Sequence, residues 1–289
     1  MLLALGASAG CGLDVGASQP WVPIADITGP LATSGAAAPR AAPVPGAALR
    51  VVTYNVDEEN NTGAAALAAA ITRVPELASA DVFMFEEEEA YPEEGTSRSA
   101  QLAALLGVGY VYVPARVKGD GTHGLAIMST YPIENVEKMD LPATNGQPRI
   151  AVAADIRVGD RVVHLIDVHL ETFIDAEERV AQLAPAALGA PDAVVLAGDF
   201  NMGWLQWLAT GVPVVSATRA SDQAPVIDSF MRALGFADPS LGSGPTAHAY
   251  GQATRLDAVF ARGLDVTFGG VSRVGPSDHW PLWFDVRVP

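Results

Sequence analysis

Short apolar runs rich in β-branched residues alternate along the chain with segments rich in alanine and leucine. Several of the apolar runs are almost continuous, which is typical of strands that are buried on both faces. The pattern predicts strands at residues 49–55, 81–86, 109–114, 124–128, 149–157, 161–169, 193–198, 255–260 and 281–287. It predicts helices at residues 63–79, 97–106, 175–188 and 222–235.

The third of these helices carries a recognisable start signal. Asp175 lies at its beginning, and Glu177 and Glu178 lie in its first turn, where the helix dipole favours negative charge. Hydrophobic residues make up 49% of the 289-residue chain, which is enough to bury a large core. Two packed β-sheets with helices on their outer faces would bury the predicted strands, and we find no internal repeat. We therefore expect residues 49–289 to form one domain.

Acid, amide and imidazole side chains recur where the predicted strands end. The apolar run 193–197 is followed by Gly198-Asp199-Phe200-Asn201, and Ser277-Asp278-His279 precedes the last strand. Further side chains of these kinds lie on or after other strands, at Asn55, Glu87, His169 and Asp257. Carboxylate and amide oxygens bind Mg²⁺, and a bound metal steers a water at a phosphate ester, so one shared cleft is the economical explanation.

Asp199 and Asn201 alternate across Phe200. Because successive side chains of a strand point to opposite faces, both polar groups should leave the strand end on one side while Phe200 points into the core. A turn after a strand would also favour aspartate and asparagine at these positions.

In their order along the chain, these motifs resemble those of the endonuclease/exonuclease/phosphatase family, the superfamily of deoxyribonuclease I, exonuclease III, bacterial sphingomyelinase and the inositol polyphosphate 5-phosphatases. The resemblance spans residues 49–289 and rests on the joint order of Tyr54-Asn55, Glu87, His169, Gly198-Asp199-Phe200-Asn201, Arg255-Leu256-Asp257 and Ser277-Asp278-His279. It implies a deoxyribonuclease I-like α/β fold, a four-layer α/β/β/α sandwich of two mixed β-sheets with outer helices. The site would lie at one end of both sheets.

The resemblance also implies roles for single residues. Asp199 would orient or deprotonate the attacking water, and Asp257 would fix the tautomer of His279. The implied metal ligands are Asn55, Glu87 and Asp278; the implied catalytic residues are Asp199, Asn201, His169, His279 and Asp257; the implied phosphate-binding residues are Arg149, Asn201 and His169. The implied cofactor is Mg²⁺, for which Mn²⁺ can substitute.

Some of these assignments leave an alternative open. Glu86 and Glu87 stand in a run of four glutamates, so the metal ligand could be either of them, with Glu87 preferred. His169 indicates the deoxyribonuclease I, sphingomyelinase and 5-phosphatase branches, whereas Asp57 is typical of the exonuclease III branch; of the two signals, His169 is preferred. His123 and His248 are predicted to be ordinary loop residues.

Charge limits the class of substrate. The chain has 33 acidic and 17 basic residues, a formal net charge of -16, and its basic residues are scattered. Proteins that bind the nucleic-acid backbone without sequence specificity usually show a basic stripe, so nucleic acid is possible but disfavoured. Trp204 and Trp207 follow the metal-site loop and could contact a lipid or a base, or could equally be core residues.

The first 48 residues differ from the rest of the chain. A small, apolar segment precedes Cys11, the only cysteine, and residues 12–48 are rich in alanine, glycine and proline. This resembles the end of a lipoprotein signal followed by a disordered tether, which would place the protein in the periplasm or on an outer surface. The alternative is a disordered extension with an incidental thiol on a cytoplasmic protein.

The sequence therefore predicts a Mg²⁺-dependent phosphoesterase, with a phospholipid head group or another small phosphodiester as the favoured substrate. A secreted or surface endonuclease with the same site is the alternative. A noncatalytic binding module on the same scaffold is a third hypothesis, which the full set of polar residues disfavours. Nothing in the sequence implies a protein partner.

Overall fold

The computed structural model describes residues 20–23, 33–35, 48–57, 63–94, 96–143, 147–172, 174–203, 205–207, 213–215, 223–249 and 252–288. Its strands are β1 (Val22–Pro23), β2 (Thr33–Gly35), β3 (Ala48–Asn55), β4 (Val82–Ala90), β5 (Gly109–Lys118), β6 (Gly121–Ser129), β7 (Ile133–Asp140), β8 (Ile150–Val158), β9 (Arg161–His169), β10 (Val194–Asp199), β11 (Leu205–Trp207), β12 (Pro213–Val215), β13 (Ala247–Ala249), β14 (Gln252–Thr254), β15 (Asp257–Arg262), β16 (Val266–Val271) and β17 (Leu282–Arg287). The α-helices are α1 (Ala64–Thr72), α2 (Pro75–Ala78), α3 (Arg98–Leu106), α4 (Ala176–Leu188) and α5 (Ala224–Ala233), and Pro92–Glu94 forms a short 3₁₀ helix.

Two mixed β-sheets form the centre of the described structure. One has the strand order β1-β7-β8-β9-β10-β15, and the other has the order β16-β17-β3-β4-β6-β5-β2. The pairs β3–β4 and β9–β10 are parallel, and the other pairs in these two sheets are antiparallel. Parallel neighbours end at the same edge of a sheet, so the polar residues that follow β9 and β10 lie side by side.

Three apolar clusters account for the layers. The first joins the inner faces of the two sheets and includes Met84, Val152 and Val195. The second packs α4 and α5 against the outer face of the β8–β9–β10–β15 region, and the third packs α1 and α3 against the outer face of β3, β4 and β6. The predicted α/β/β/α sandwich is confirmed. Phe200 is fully buried in the second cluster, as the alternation of side chains predicts.

The helix ends follow their local sequence. Asp175 and Glu178 form a reciprocal capping box at the start of α4, and the Ser97 side chain accepts a hydrogen bond from the backbone N–H of Ala100 at the start of α3. The helix predicted at residues 63–79 is instead two helices. Pro75 opens α2, because a proline fits the first turn of a helix but not its interior.

Four strands of the large sheets were not predicted from the sequence: β1 and β2, which come from residues 1–48, and β7 and β16. β7 carries charges at Glu134, Glu137 and Lys138, and β16 contains adjacent glycines at its pairing irregularity. Both lie at or near an edge of their sheet, where burial is incomplete and the apolar signal is weak.

The predicted tether is described only in part. β1 pairs with β7 and β2 pairs with β5, so two short pieces of residues 1–48 extend the edges of the sheets. Cys11 and Trp204 lie outside the described residues, as does the side chain of Trp207. Among the described helices, none is both long and apolar enough to cross a membrane.

Candidate active site

Three neighbouring strands place polar residues opposite one another at one edge of the first sheet. Asp199, the last residue of β10, is in register with His169 at the end of β9 and with Asp257 at the start of β15. The second sheet contributes Asn55 from the end of β3, whose amide nitrogen lies 3.0 Å from Oδ2 of Asp199. The edges of the two sheets therefore meet at Asp199.

Glu87 enters the site through an irregularity in β4. The pairing between β4 and β6 shifts between Glu86 and Glu88, and Glu87 itself has φ 62°, in the left-handed region that non-glycine residues rarely adopt. Glu86 and Glu88 are fully buried, whereas the Glu87 side chain is 28% exposed. The bulge turns Glu87 toward the cleft and Glu86 into the interior, so the geometry favours Glu87 of the two alternatives.

Asn55 joins the two carboxylates. Its Nδ2 donates to Oε1 of Glu87 at 3.2 Å and to Oδ2 of Asp199 at 3.0 Å, and its Oδ1 accepts the backbone N–H of Asp57 at 3.0 Å. Asn55 thus orients both carboxylates, and its Oδ1 keeps a second lone pair with which it could bind a metal.

Asp199 is almost completely buried at the centre of this group. Burial raises the pKa of Asp199 to about 7, against the lowering effect of the His279 charge and with a further rise from Asp257. Its Oδ2 lies 3.5 Å from Nε2 of His169 and 3.8 Å from Nε2 of His279. A carboxylate with this pKa can exchange a proton with water near neutral pH.

His279 is held as a cation. Burial alone would lower its pKa, but the charges of Asp257 and Asp199 raise it well above the usual value of 6.5. Its Nδ1 lies 3.0 Å from both carboxylate oxygens of Asp257, and Thr246 donates its hydroxyl to that same carboxylate at 2.5 Å. This chain of contacts leaves Nε2 of His279 facing Asp199.

His169 is held as a neutral ring. Burial, followed by the charge of Arg149, lowers the pKa of His169 well below 6.5. Nη1 of Arg149 lies 3.0 Å from Nδ1 and 2.8 Å from Nε2 of the ring, and an arginine can only donate. Nε of Arg149 donates to Glu171 at 3.2 Å. Arg149 thus holds the His169 ring in place, with Glu171 on one side and the carboxylates of Glu87 and Asp199 on the other.

Asn201 and the buried Arg179 hold the loop that follows β10. Asn201 has φ 48°, its backbone N–H donates to Oδ1 of Asp199 at 2.8 Å, and its amide donates to Oδ2 of Asp199 at 3.2 Å and to the carbonyl of Leu170 at 3.0 Å. Nη1 of Arg179 donates to the carbonyls of Glu171 and Phe200. In this arrangement Asn201 fixes the orientation of Asp199.

Asp278 lies at the rim. Its side chain is 50% exposed, and Oδ1 is 4.0 Å from Nε2 of His279. Burial raises its pKa, and the charge of His279 opposes that rise. His248 is in strand β13, not in a loop as predicted; it is exposed, and its backbone N–H donates to the carbonyl of Asp278.

His123 is a site residue that the sequence did not reveal. It was predicted to lie in a loop, but it belongs to β6, is 3% exposed, and places Nε2 3.8 Å from Oε2 of Glu87. Burial would raise the pKa of Glu87, but contacts with His123, His169 and Asn55 hold it well below 4.5. Only the β4–β6 pairing brings His123 to Glu87, and that pairing is not visible as a local motif.

The donor set fits a divalent cation. Within the described residues, two groups have ligand atoms that all lie within 4.8 Å of one another: Glu87 with His169 and Asp199, and Asp199 with Asp257 and His279. Oxygen donors from carboxylates suit Mg²⁺, and close carboxylates repel one another unless a cation lies between them. The second group includes cationic His279, which has no lone pair for a metal, so the first group is the candidate metal site. Asp278 belongs to neither group.

The family model described as the endonuclease/exonuclease/phosphatase family matches residues 52–279 of the chain. The chain belongs to the endonuclease/exonuclease/phosphatase family. The order of motifs and the sandwich fold, both predicted from the sequence, agree with this membership.

Several proteins resemble this family member. YbhP of Escherichia coli K12 is 32% identical over 125 residues, which cover 41% of this chain and 47% of YbhP; the chain thus spans about half the length of the curated relatives it matches. The structure of D. rerio TDP2 with a single-strand DNA product covers 83% of this chain and 99% of its own, at 20% identity and TM-score 0.59. The structure of the human Nocturnin catalytic domain with a bound sulfate covers 84% of this chain and 94% of its own, at 17% identity and TM-score 0.56. The structural likenesses show the fold.

Proposed function

We propose that this enzyme is a Mg²⁺-dependent phosphoesterase that hydrolyses a small phosphodiester, with a phospholipid head group as the favoured class. The observation that carries the proposal is the convergence of Glu87, Asp199 and His279 at one edge of both sheets. Glu87 would hold the metal beside Asp199, and the metal would supply positive charge to a phosphoryl oxygen in the transition state.

Asp199 is the group best suited to take the proton of the attacking water. Its raised pKa, about 7, allows it to accept a proton near neutral pH, and Asn55 and Asn201 fix its orientation. The water oxygen forms a bond to phosphorus in line with the ester oxygen, whose bond to phosphorus breaks. Cationic His279 would donate a hydrogen bond to a phosphoryl oxygen as negative charge develops there.

His169 would act on the other side of the phosphate. A neutral ring that accepts a hydrogen bond from Arg149 retains one N–H, which can donate to a phosphoryl or leaving oxygen. Arg149 and Glu171 keep this ring in place. The ring is therefore already oriented before the substrate binds, which lowers the entropic cost of reaching the transition state.

The charge of the chain supports a small substrate. A net charge of -16 disfavours a long polyanion, whose binding depends on neutralising many phosphates. A single phosphodiester needs only the local field of the metal and of cationic His279. A nuclease remains the second candidate, because the similar D. rerio TDP2 was solved with a single-strand DNA product.

A substrate panel tests this proposal. Purified protein with Mg²⁺ is assayed on bis(p-nitrophenyl) phosphate, p-nitrophenyl phosphate, glycerophosphocholine and supercoiled plasmid. We expect turnover of the small diesters and little nicking of the plasmid. Faster cleavage of the plasmid than of every small diester would overturn the substrate class, and no Mg²⁺-dependent turnover of any compound would overturn the reaction.

A tether would place the enzyme near such a substrate. We propose that Cys11 is lipidated and anchors the domain at a membrane surface, because an apolar segment precedes it and a long segment rich in alanine, glycine and proline follows. Labelling with palmitate should mark the wild type and not Cys11→Ser, and equal labelling of the two proteins would contradict the proposal.

A further inference from the structure

Arg116 lies beside the open side of the active site. It follows an irregularity in the pairing between β5 and β6, where it is the Cα partner of His123. Partners on neighbouring antiparallel strands present their side chains to the same face of the sheet. His123 places Nε2 3.8 Å from Oε2 of Glu87, so Arg116 is on the face that carries this metal ligand.

Arg116 has no protein partner within the described part of the chain, although acidic groups are close. Its Nε is buried without a hydrogen-bond partner. Glu87, Glu89 and Glu171 are near enough for their charges to act on its guanidinium. None of these carboxylates is within ion-pair distance of it in the described structure.

The nearby acidic residues are engaged elsewhere. Glu89 accepts hydrogen bonds from Lys118 and from the hydroxyl of Tyr91. Glu171 accepts from Arg149 and from the backbone N–H of Gln147. Glu87 accepts from Asn55 and faces the metal-binding group. The guanidinium of Arg116 is therefore available to a ligand.

A second cation increases the attraction of this position for an anion. Burial and the charge of Arg149 lower the pKa of Arg116, while the three glutamates oppose that change. Arg149 itself contacts His169, which is 3.7 Å from Glu87, so both arginines border the same group of ligands. Two guanidinium groups that repel each other are stabilised together when a phosphate lies near both.

We propose that Arg116 is a specificity-determining residue that binds a second phosphate group of the substrate, next to the phosphodiester that is hydrolysed. The inference rests on the proposed phosphodiesterase function and narrows its substrate class to esters that carry another phosphate. An arginine suits this task because its planar fork can make two parallel hydrogen bonds to phosphate oxygens.

Two matched pairs of chromogenic substrates test the inference. One pair is glycerol 1-(p-nitrophenyl phosphate) with and without a 3-phosphate, and the other is p-nitrophenyl thymidine 5′-phosphate with and without a 3′-phosphate. Each compound releases p-nitrophenol by the same bond cleavage, so the ratio of kcat/KM within a pair reports the second phosphate alone. The glycerol pair represents a head group, and the thymidine pair represents a nucleotide.

The wild type should prefer the doubly phosphorylated member of at least one pair by about 10- to 100-fold, the range that a charge-assisted hydrogen bond contributes. Arg116→Gln should bring this ratio close to one, and Arg116→Lys should retain part of it because the charge remains. A preference in the glycerol pair assigns the second phosphate to a head group, and a preference in the thymidine pair alone assigns it to a nucleotide.

Arg161→Gln is the matched control. Arg161 lies at the opposite end of β9 from His169, its side chain is 60% exposed, and its removal changes the net charge equally. It should leave the ratio as in the wild type, and melting temperatures establish that all variants are folded. A wild-type ratio near one in both pairs, or an unchanged ratio in Arg116→Gln, would overturn the inference while the phosphodiesterase function stands. No hydrolysis of any of the substrates would overturn both.

Discussion

The two sides of the active site differ in how deeply their polar side chains are buried and in whether those side chains have hydrogen-bond partners within the protein. On the side of β10 and β15, Asp199, Asp257 and His279 have side chains that are 1%, 3% and 8% exposed, and each has a hydrogen-bond partner. On the side of β4 and β6, the Glu87 side chain is 28% exposed and Arg116 lacks a protein partner among the described residues. The first side is organised in advance for proton transfer and charge stabilisation, and the second is open to the ligand.

This difference predicts that substitutions on the buried side cause the largest loss of activity. Asp257→Asn removes the charge that holds His279 as a cation, so kcat should fall by about 10²- to 10⁴-fold, the usual contribution of acid–base groups. The pKa of His279 should also fall toward its ordinary value, because the Asp257 charge is a main cause of its rise. Activity that depends on the protonated ring is lost as pH rises through that pKa, so the alkaline limb of the kcat profile should move to lower pH.

Asp265→Asn is the control for this substitution, since Asp265 is 63% exposed and pairs with Arg287 away from the site. Steady-state rates across pH, measured for both variants and the wild type, check the prediction. An unchanged alkaline limb in Asp257→Asn would show that His279 is not the group whose charge Asp257 maintains.

On the open side, the largest change should be in metal affinity. Glu87→Gln removes a charged ligand atom while preserving the shape of the side chain, so the Mg²⁺ dissociation constant should rise by at least about tenfold, in line with the effects of altering a metal site. Titration calorimetry with Mg²⁺ measures this directly.

Glu86→Gln is the matched comparison, because it makes the same substitution one residue away, in a side chain that points into the interior. It should leave the Mg²⁺ dissociation constant within about twofold of the wild type, because Glu86 accepts a hydrogen bond from Thr53 and is not one of the outer partners that orient the metal ligands. If Glu86→Gln weakens Mg²⁺ binding more than Glu87→Gln, the metal ligand is Glu86, and the bulge in β4 does not serve to present Glu87 to the metal.

The smallest expected effect concerns stability. Burial, followed by the charge of Asp167, raises the pKa of Glu86 well above 4.5, and Oε2 of Glu86 and both carboxylate oxygens of Asp167 lack hydrogen-bond partners in the described structure. The folded state holds the proton more tightly than the unfolded state, so stability falls as pH rises from the unfolded pKa toward the folded one. Glu86→Gln removes this pH-dependent loss of stability, and the glutamine amide can donate hydrogen bonds to the carboxylate of Asp167.

We therefore expect Glu86→Gln to raise the free energy of unfolding by about 1–3 kcal/mol, the cost of a buried unsatisfied group. The gain should be larger near pH 8 than near pH 5, because the wild-type carboxyl opposes folding more as pH rises. Urea unfolding in EDTA at the two pH values measures it. A gain that is equal at both pH values, or a loss, would contradict the assigned state of this buried pair.

The sequence pattern predicted the framework of the fold well, because its central strands are buried and therefore apolar. β3, β9 and β17 match their predicted ranges to within one residue at either end, and α3 and α4 begin at recognisable capping residues. β7 was missed because its charged side chains are those of a partly exposed strand near the sheet edge, and the break before α2 shows how a single proline overrode a continuous alanine-rich pattern.

The site was predictable where its residues directly follow strands, and less so where pairing between strands decides their position. Asp199 and His169 follow buried runs and lie together, as parallel strands require. His123 and Arg116 belong to the hairpin of β5 and β6, and only its pairing with β4 and the bulge at Glu87 brings them to the cleft. Neither the bulge nor this register has a local sequence signature.

The most direct test of the central claim is Mg²⁺-dependent hydrolysis of bis(p-nitrophenyl) phosphate by the wild type and by Asp199→Ala. The wild type should turn over, EDTA should abolish turnover, and Asp199→Ala should lose at least about 10³-fold in kcat while keeping a cooperative unfolding transition, because the carboxylate at the meeting point of both sheets is removed. Activity of Asp199→Ala within about tenfold of the wild type would contradict the claim that these strand ends form one phosphoesterase site.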